Sequence, residues 1–165
     1  MTSAEPSAGS RWLVDTQWLA ARLGAPDLAV IDGSYYLPTQ KRDAAAEYLA
    51  GHIPGAVRFD MEAIADHANP LPHMLPDADQ FGREVGALGI GEQDTIVIYD
   101  GAGMFASPRV WWTFRVFGAQ KVFILAGGMP RWKAEGRPIE TGAVSRARKT
   151  FRAQRAPAAV ASRRS

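Results

Sequence analysis

The stretch from Thr95 to Gly118 constrains the fold of this chain more than any other segment. It begins with Thr95-Ile-Val-Ile-Tyr99, an uncharged and mostly β-branched run of strand length. A glycine-bearing loop follows from Asp100, and Ser107 with Pro108 then favours a helix start in which Ser107 is the N-cap. A strand that feeds a loop ending at a helix N-terminus forms a pocket lined by backbone N–H groups. Such a pocket suits an anion or an activated nucleophile.

The residue at the end of this strand is Asp100, and the chain contains no cysteine. Disulfides, thiolate metal sites and thiol nucleophiles are therefore excluded together. Asp100 as a phosphoryl-transfer nucleophile would need a metal held by further carboxylates, and only Asp32 and Asp60 also follow predicted strands. His67 and His73 lack the spacing of zinc ligands. We expect no metal ion and no cofactor.

Short apolar runs alternate along the chain with segments of helical pattern. The runs that predict strands lie at Trp12–Val14, Leu28–Ile31, Ala56–Phe59, Thr95–Tyr99 and Val122–Leu125. They lack the period-two alternation of a sheet with one exposed face, so both faces should be covered. The sequence predicts an α/β domain with a central, mainly parallel five-stranded sheet and helices on both faces.

Composition divides the chain into three parts: a disordered leader over residues 1–11, a folded domain over 12–141 and a basic linker or truncated tail over 142–165. Residues 143–165 carry seven of the 19 basic residues and none of the 17 acidic ones. Beyond Phe151 this tail has no aromatic residue to stack on bases, so we expect no nucleic-acid partner. We also expect no membrane partner and a cytoplasmic location, because no apolar stretch is long enough to span a bilayer.

The segment Gly51-His-Ile-Pro-Gly-Ala56 is the most distinctive short motif. Its glycines and proline predict a tight entry into the strand that follows, with His52 beside a cleft. A lone histidine at a turn is more often a hydrogen-bonded structural residue than a functional one. Asp43 and Glu47 precede the motif and are candidate partners for His52. The segment Leu125–Pro138, with a glycine turn and Trp132, is typical of a structural strand–turn–helix unit.

Taken together, Gly51–Asp60, Ile96–Phe117 and Leu125–Pro138 resemble rhodanese-type sulfurtransferases in order and spacing. The resemblance is closest to the N-terminal domain of the two-domain 3-mercaptopyruvate and thiosulfate sulfurtransferases, and it covers residues 12–141. It implies a rhodanese-like fold. It also implies that the persulfide-forming cysteine lies in a second, C-terminal domain, at the position that corresponds to Asp100 here.

The resemblance also implies roles for individual residues. His52, and less directly Asp43, correspond to residues assigned to an active-site hydrogen-bond relay, while Arg109 and Trp111 correspond to residues near the domain interface or the substrate. The prediction is a non-catalytic N-terminal rhodanese domain that is inactive alone. It would meet its sulfur donor, thiosulfate or 3-mercaptopyruvate, through a second domain and would self-associate through the exposed interface. The alternative is a stand-alone inactive rhodanese module with a binding or regulatory role.

Overall fold

The computed structural model describes residues 12–36, 39, 41–59, 78–103 and 105–153. The predicted leader, Asp60, His67, His73 and the tail beyond residue 153 lie outside the described residues.

A five-stranded sheet forms the centre of the described chain. Its strands are β1 (Leu13–Val14), β2 (Leu28–Asp32), β3 (Val57–Arg58), β4 (Thr95–Tyr99) and β5 (Val122–Leu125). The helices are α1 (Thr16–Ala20), α2 (Ala44–Ala50), α3 (Ala78–Ala87), α4 (Ser107–Val116) and α5 (Gly128–Ala134). The strand order is β1-β5-β4-β2-β3, and every pairing is parallel. Among the described residues, no helix has the length and apolar character that crossing a bilayer requires.

Helices cover both faces of the sheet, as the sequence predicts. On one face, α3 and α4 bury side chains such as Phe81 and Phe114 against β2, β4 and β5. On the other face, α1, α2 and α5 bury Leu19, Tyr48 and Trp132. Because both faces are covered, the strands carry continuous apolar runs, and all five residues of β2 are buried.

The register of β2 against β4 sets where the functional site lies. Leu28 pairs with Thr95 and Asp32 pairs with Tyr99, so the two strands end at the same edge of the sheet. Asp32 and the first residue after β4, Asp100, are therefore neighbours at the carboxyl edge. In parallel α/β sheets, ligands bind at this edge.

After the last helix, residues 142–153 run back across the domain, and we call this segment the strap. Phe151 is buried in the α3–α4 core, where its ring meets that of Phe81 edge-on at 5.6 Å between centroids. Arg146 donates hydrogen bonds to the carbonyls of Leu28 and Gly89. The domain boundary at residue 141 stays a prediction. The structure adds that the strap packs against the core.

Gly86 allows the strap to lie directly on α3. A Cβ atom placed on Gly86 would stand 2.5 Å from the carbonyl oxygen of Lys149, which is closer than real Cβ contacts come. The amide of Lys149 also donates a 3.0 Å hydrogen bond to the carbonyl of Gly86. A side chain at residue 86 therefore has to displace the strap.

We expect Gly86→Ala to destabilise the domain by about 1–3 kcal/mol, because overpacking outweighs the gain of about 1 kcal/mol in helix propensity. Urea unfolding measures the change in free energy, and hydrogen exchange should show faster exchange of the Lys149 amide. An alanine variant more stable than the parent, with the Lys149 amide still protected, would contradict the close approach.

Candidate functional site

The carboxylate of Asp100 fills the loop that joins β4 to α4. Its Oδ1 accepts a hydrogen bond from the amide of Ala102 at 2.9 Å. Its Oδ2 accepts two more, from the amides of Ala106 and Ser107, each at 2.7 Å. Asp100 is buried, with 1% of its surface exposed. The loop therefore forms the anion pocket that the sequence predicts, and a side chain of the protein itself occupies it.

Asp100, rather than Ser107, satisfies the first amides of α4. The prediction of a Ser107 N-cap is wrong: the N-cap position is Ala106, and no cap-residue side chain bonds to the helix. A buried, charged carboxylate is a stronger acceptor than a hydroxyl and satisfies two amides at once. The Ser107 hydroxyl is buried and has no hydrogen-bond partner within the described part of the chain.

Beside this loop, a cavity of about 380 Å³ opens at the carboxyl edge of β2 and β4. We call it the edge cavity. Its lining comes from the strand ends, from the segment around α2, from α5 and from the chain after α5; the residues are Asp32, Ser34, Arg42, Glu47, Ala50, Gly51, Tyr99, Gly101, Met129, Lys133 and Ile139. Ser34 links the cavity to the Asp100 loop, because its hydroxyl accepts a 2.9 Å hydrogen bond from the amide of Gly101.

Two acidic side chains of the edge cavity differ in environment. Glu47 receives two 2.9 Å hydrogen bonds from Arg42 and one of 3.1 Å from the Tyr36 hydroxyl. The Arg42 hydrogen bonds lower the pKa of Glu47, so it stays ionised. Asp32 is buried and accepts a hydrogen bond from the amide of Ser34. Burial raises the pKa of Asp32, which outweighs the opposing hydrogen bonds from Ser34.

The ionisation of Tyr36 makes the stability of the domain depend on pH at alkaline pH. Burial, with a further contribution from the charge of Glu47, raises the pKa of Tyr36 from 10.0 to about 12. The unfolded chain therefore releases this proton at a lower pH than the folded chain does. The stabilising contribution is fully present below about pH 10 and is lost as the pH rises towards 12.

We expect Tyr36→Phe to reduce the fall in unfolding free energy between pH 9 and pH 11.5. Urea unfolding of both proteins at several pH values across this range provides the comparison. The lost hydrogen bond from Tyr36 to Glu47 should lower the unfolding free energy of the variant by a constant amount below pH 9. Equal slopes for the two proteins would show that the Tyr36 hydroxyl titrates alike in the folded and unfolded states.

His52 lies inside the domain, not on the wall of the edge cavity. Its side chain is 0% exposed, its Nδ1 lies 2.9 Å from the Ile53 carbonyl oxygen and its Nε2 lies 2.6 Å from that of Gly142. The ring stacks on Tyr48 at 4.4 Å between centroids. Two backbone hydrogen bonds also join His52 to Glu140. These contacts hold the start of the strap, and the relay role stays a prediction.

The structure does not bring Asp43 to His52. Asp43 is the N-cap of α2, where its carboxylate accepts a hydrogen bond from the amide of Ala46 at 3.0 Å, while His52 follows the opposite end of that helix. Trp111 packs on Trp12 at 5.3 Å between ring centroids and donates a hydrogen bond to the Val122 carbonyl.

Arg109 lies in the first turn of α4, where its backbone carbonyl accepts a hydrogen bond from the Thr113 hydroxyl. The interface or substrate roles of Arg109 and Trp111 stay predictions.

Comparison with known proteins shows which protein family this fold and loop belong to. The sequence matches the model of the family described as "Rhodanese-like domain" over residues 15–135. This chain belongs to the rhodanese-like domain family. The match runs from the N-cap of α1 to the residue after α5, so it includes strands β2 to β5 and the Asp100 loop of this rhodanese-like domain, while β1 lies just before it.

Relatives of this rhodanese-like domain are sulfurtransferases. It is 43% identical over 150 residues to 3-mercaptopyruvate sulfurtransferase of Escherichia coli (strain K12), which covers 90% of this chain and 53% of the relative. It is 42% identical over 156 residues to 3-mercaptopyruvate sulfurtransferase of Homo sapiens, covering 91% and 52%. The crystal structure of SseA from Escherichia coli, a 3-mercaptopyruvate sulfotransferase, aligns with a TM-score of 0.84 at 42% identity and covers 88% of this chain and 56% of that one. The chain spans about half the length of these relatives.

The sequence interpretation missed most of the edge cavity. Asp32 and Ser34 had a usable signal, because they directly follow a strand that parallel pairing places beside β4. Arg42 and Lys133 had none, since they come from separate segments that only the tertiary fold brings together.

Proposed function

We propose that this chain is the non-catalytic, N-terminal rhodanese domain of a 3-mercaptopyruvate or thiosulfate sulfurtransferase. The observation that carries this proposal is the Asp100 carboxylate, which accepts hydrogen bonds from three backbone amides of the loop and the start of α4 in a chain without cysteine. The similarity to 3-mercaptopyruvate sulfurtransferases supports the part of the proposal that assigns the chain to a sulfur-transfer enzyme.

Sulfur transfer by a rhodanese needs a thiolate. The thiolate attacks the outer sulfur of thiosulfate, the S–S bond of the donor breaks, and sulfite leaves as a persulfide forms on the protein. Cyanide or a thiol then attacks the outer sulfur of the persulfide, and the thiolate returns. A carboxylate neither forms nor releases a persulfide in this way. Asp100 therefore fills the loop as a fixed internal anion, and the sulfur chemistry falls to a second, cysteine-bearing domain.

Because the sulfur chemistry falls to the second domain, the proposed role of this domain is to dock onto it. Leu49 and Ile139 are 50% and 40% exposed. The chain after α5 runs along the end of α2, because the amide of Gly142 bonds to the Leu49 carbonyl and the Ile139 side chain lies against Gly51. Ile139 also borders the edge cavity. Exposed apolar side chains beside a charged cleft are typical of a docking surface. The same side chains favour self-association of this chain, which sedimentation velocity at rising concentration would detect. A cytoplasmic location is part of the proposal.

Mixing this chain with the separately produced cysteine-bearing half of a two-domain relative tests the docking role. We expect a complex in sedimentation experiments and a sulfurtransferase rate above that of the relative's half alone. Ile139→Asp should weaken both, whereas Trp112→Asp should not, because Trp112 is similarly exposed but lies on α4. No complex and no rate increase would remove the docking role and favour a stand-alone module.

A further inference from the structure

The edge cavity has the position and size of a small-molecule site. It lies at the carboxyl edge of two adjacent parallel strands, where α/β sheets bind their ligands. Its volume of about 380 Å³ falls in the range of ligand pockets. The sulfur chemistry proposed above makes no use of this cavity.

Among the described residues that line the edge cavity, Arg42 is hydrogen-bonded to Glu47, whereas Lys133 makes no such bond. Glu47 is satisfied by three hydrogen bonds from Arg42 and Tyr36. Lys133 also borders the cavity. Its side chain is exposed and its charge helps to lower the pKa of Glu47, but it has no hydrogen-bond partner among the residues that the structure describes. A ligand carboxylate would give Lys133 the ion pair that it lacks.

Other surfaces of the edge cavity restrict the ligand further. Met129 and Ile139 form apolar wall, which suits a short carbon chain. Asp32 is 5% exposed and also borders the cavity. Its Oδ1 accepts the Ser34 amide, and its carboxyl has further acceptor capacity for a ligand donor. Burial of this carboxyl makes a hydrogen bond from the ligand more valuable than it would be in water.

We propose that the edge cavity binds a small organic acid that carries a hydroxyl or amino group. Its carboxylate pairs with Lys133, its carbon chain lies against Met129 and Ile139, and its hydrogen-bond donor meets Asp32. This domain alone forms the site. Because Ile139 also belongs to the docking surface proposed above, the test uses the chain without a second domain.

Methyl NMR on the chain alone tests the site, with 3-hydroxybutyrate as the probe. We expect saturable shifts of the Met129 and Ile139 methyl signals. Butyrate, which lacks the hydroxyl, should bind several-fold more weakly, and butylammonium should cause no saturable shift. Lys133→Met should weaken binding of the probe at least tenfold. Lys121→Met is the matched control and should leave binding unchanged, because Lys121 borders a different cavity.

Absence of saturable shifts with 3-hydroxybutyrate would overturn the proposal, as would equal binding by the Lys133→Met variant or by butylammonium. Butyrate binding as tightly as 3-hydroxybutyrate would overturn the assignment of Asp32. The readout is binding to the isolated chain. A negative result here therefore differs from a failure of the docking experiment, which reports on association with a second domain.

Discussion

Replacing Asp100 by alanine is expected to lower the free energy of unfolding by about 4 kcal/mol. The substitution removes the acceptor for two buried backbone amides, those of Ala106 and Ser107, and for the part-buried amide of Ala102. Each buried donor left without a partner costs about 1–3 kcal/mol, and water entering the space offsets part of the total. Asp100→Asn should recover only part of the loss, since an amide keeps one acceptor oxygen and brings an N–H donor against the others. Urea unfolding measures these changes.

Asp27→Ala provides the control for loss of a carboxylate. Asp27 is exposed, so its replacement should change the unfolding free energy by no more than about 0.5 kcal/mol. A loss below about 1 kcal/mol for Asp100→Ala would mean that the loop amides are satisfied in another way, and the account of Asp100 as a structural anion would be wrong.

Truncation of Phe151 is expected to have an effect of similar size, about 3–5 kcal/mol for Phe151→Ala. The ring is 5% exposed and makes edge-on contacts with Phe81 and Phe114 at 5.6 and 6.2 Å between centroids. Its removal leaves a cavity in the α3–α4 core and detaches the strap. Urea unfolding gives the free energy, and hydrogen exchange of the Lys149 amide reports whether the strap is still bound.

Arg148→Ala is the matched control within the strap, because Arg148 is exposed and its truncation should change stability by no more than about 0.5 kcal/mol. If Phe151→Ala proved as mild as Arg148→Ala, the strap would not belong to the folded core. The domain would then end near residue 141, as the composition predicts.

Local patterns predicted the sheet well. The β-branched run of β4 and the apolar runs of β2 and β5 are long enough to distinguish strands from helices, and alternation with helices predicts parallel pairing. The all-parallel sheet confirms this. The Asp100 loop was also predictable as an anion pocket, because strand, glycine loop and helix follow one another directly in the sequence.

What the sequence did not reveal depends on contacts between distant residues. The strap has no apolar periodicity, and the burial of Phe151 follows from its contacts with Phe81 on α3 and Phe114 on α4. The choice of Asp100 over Ser107 as the cap of α4 depends on how the loop closes. The ring of His52 is bonded to Gly142, a residue 90 positions away, which no local motif encodes.

A sulfurtransferase assay of this chain without a second domain is the most direct test of whether the domain is non-catalytic. Thiocyanate formation from thiosulfate and cyanide, and pyruvate formation from 3-mercaptopyruvate, should both stay at the rate without protein. Mass spectrometry should detect no added sulfur on the protein. Turnover above this background that disappears in Asp100→Asn would contradict the account, because Asp100 would then act as a catalytic group and not as a fixed internal anion.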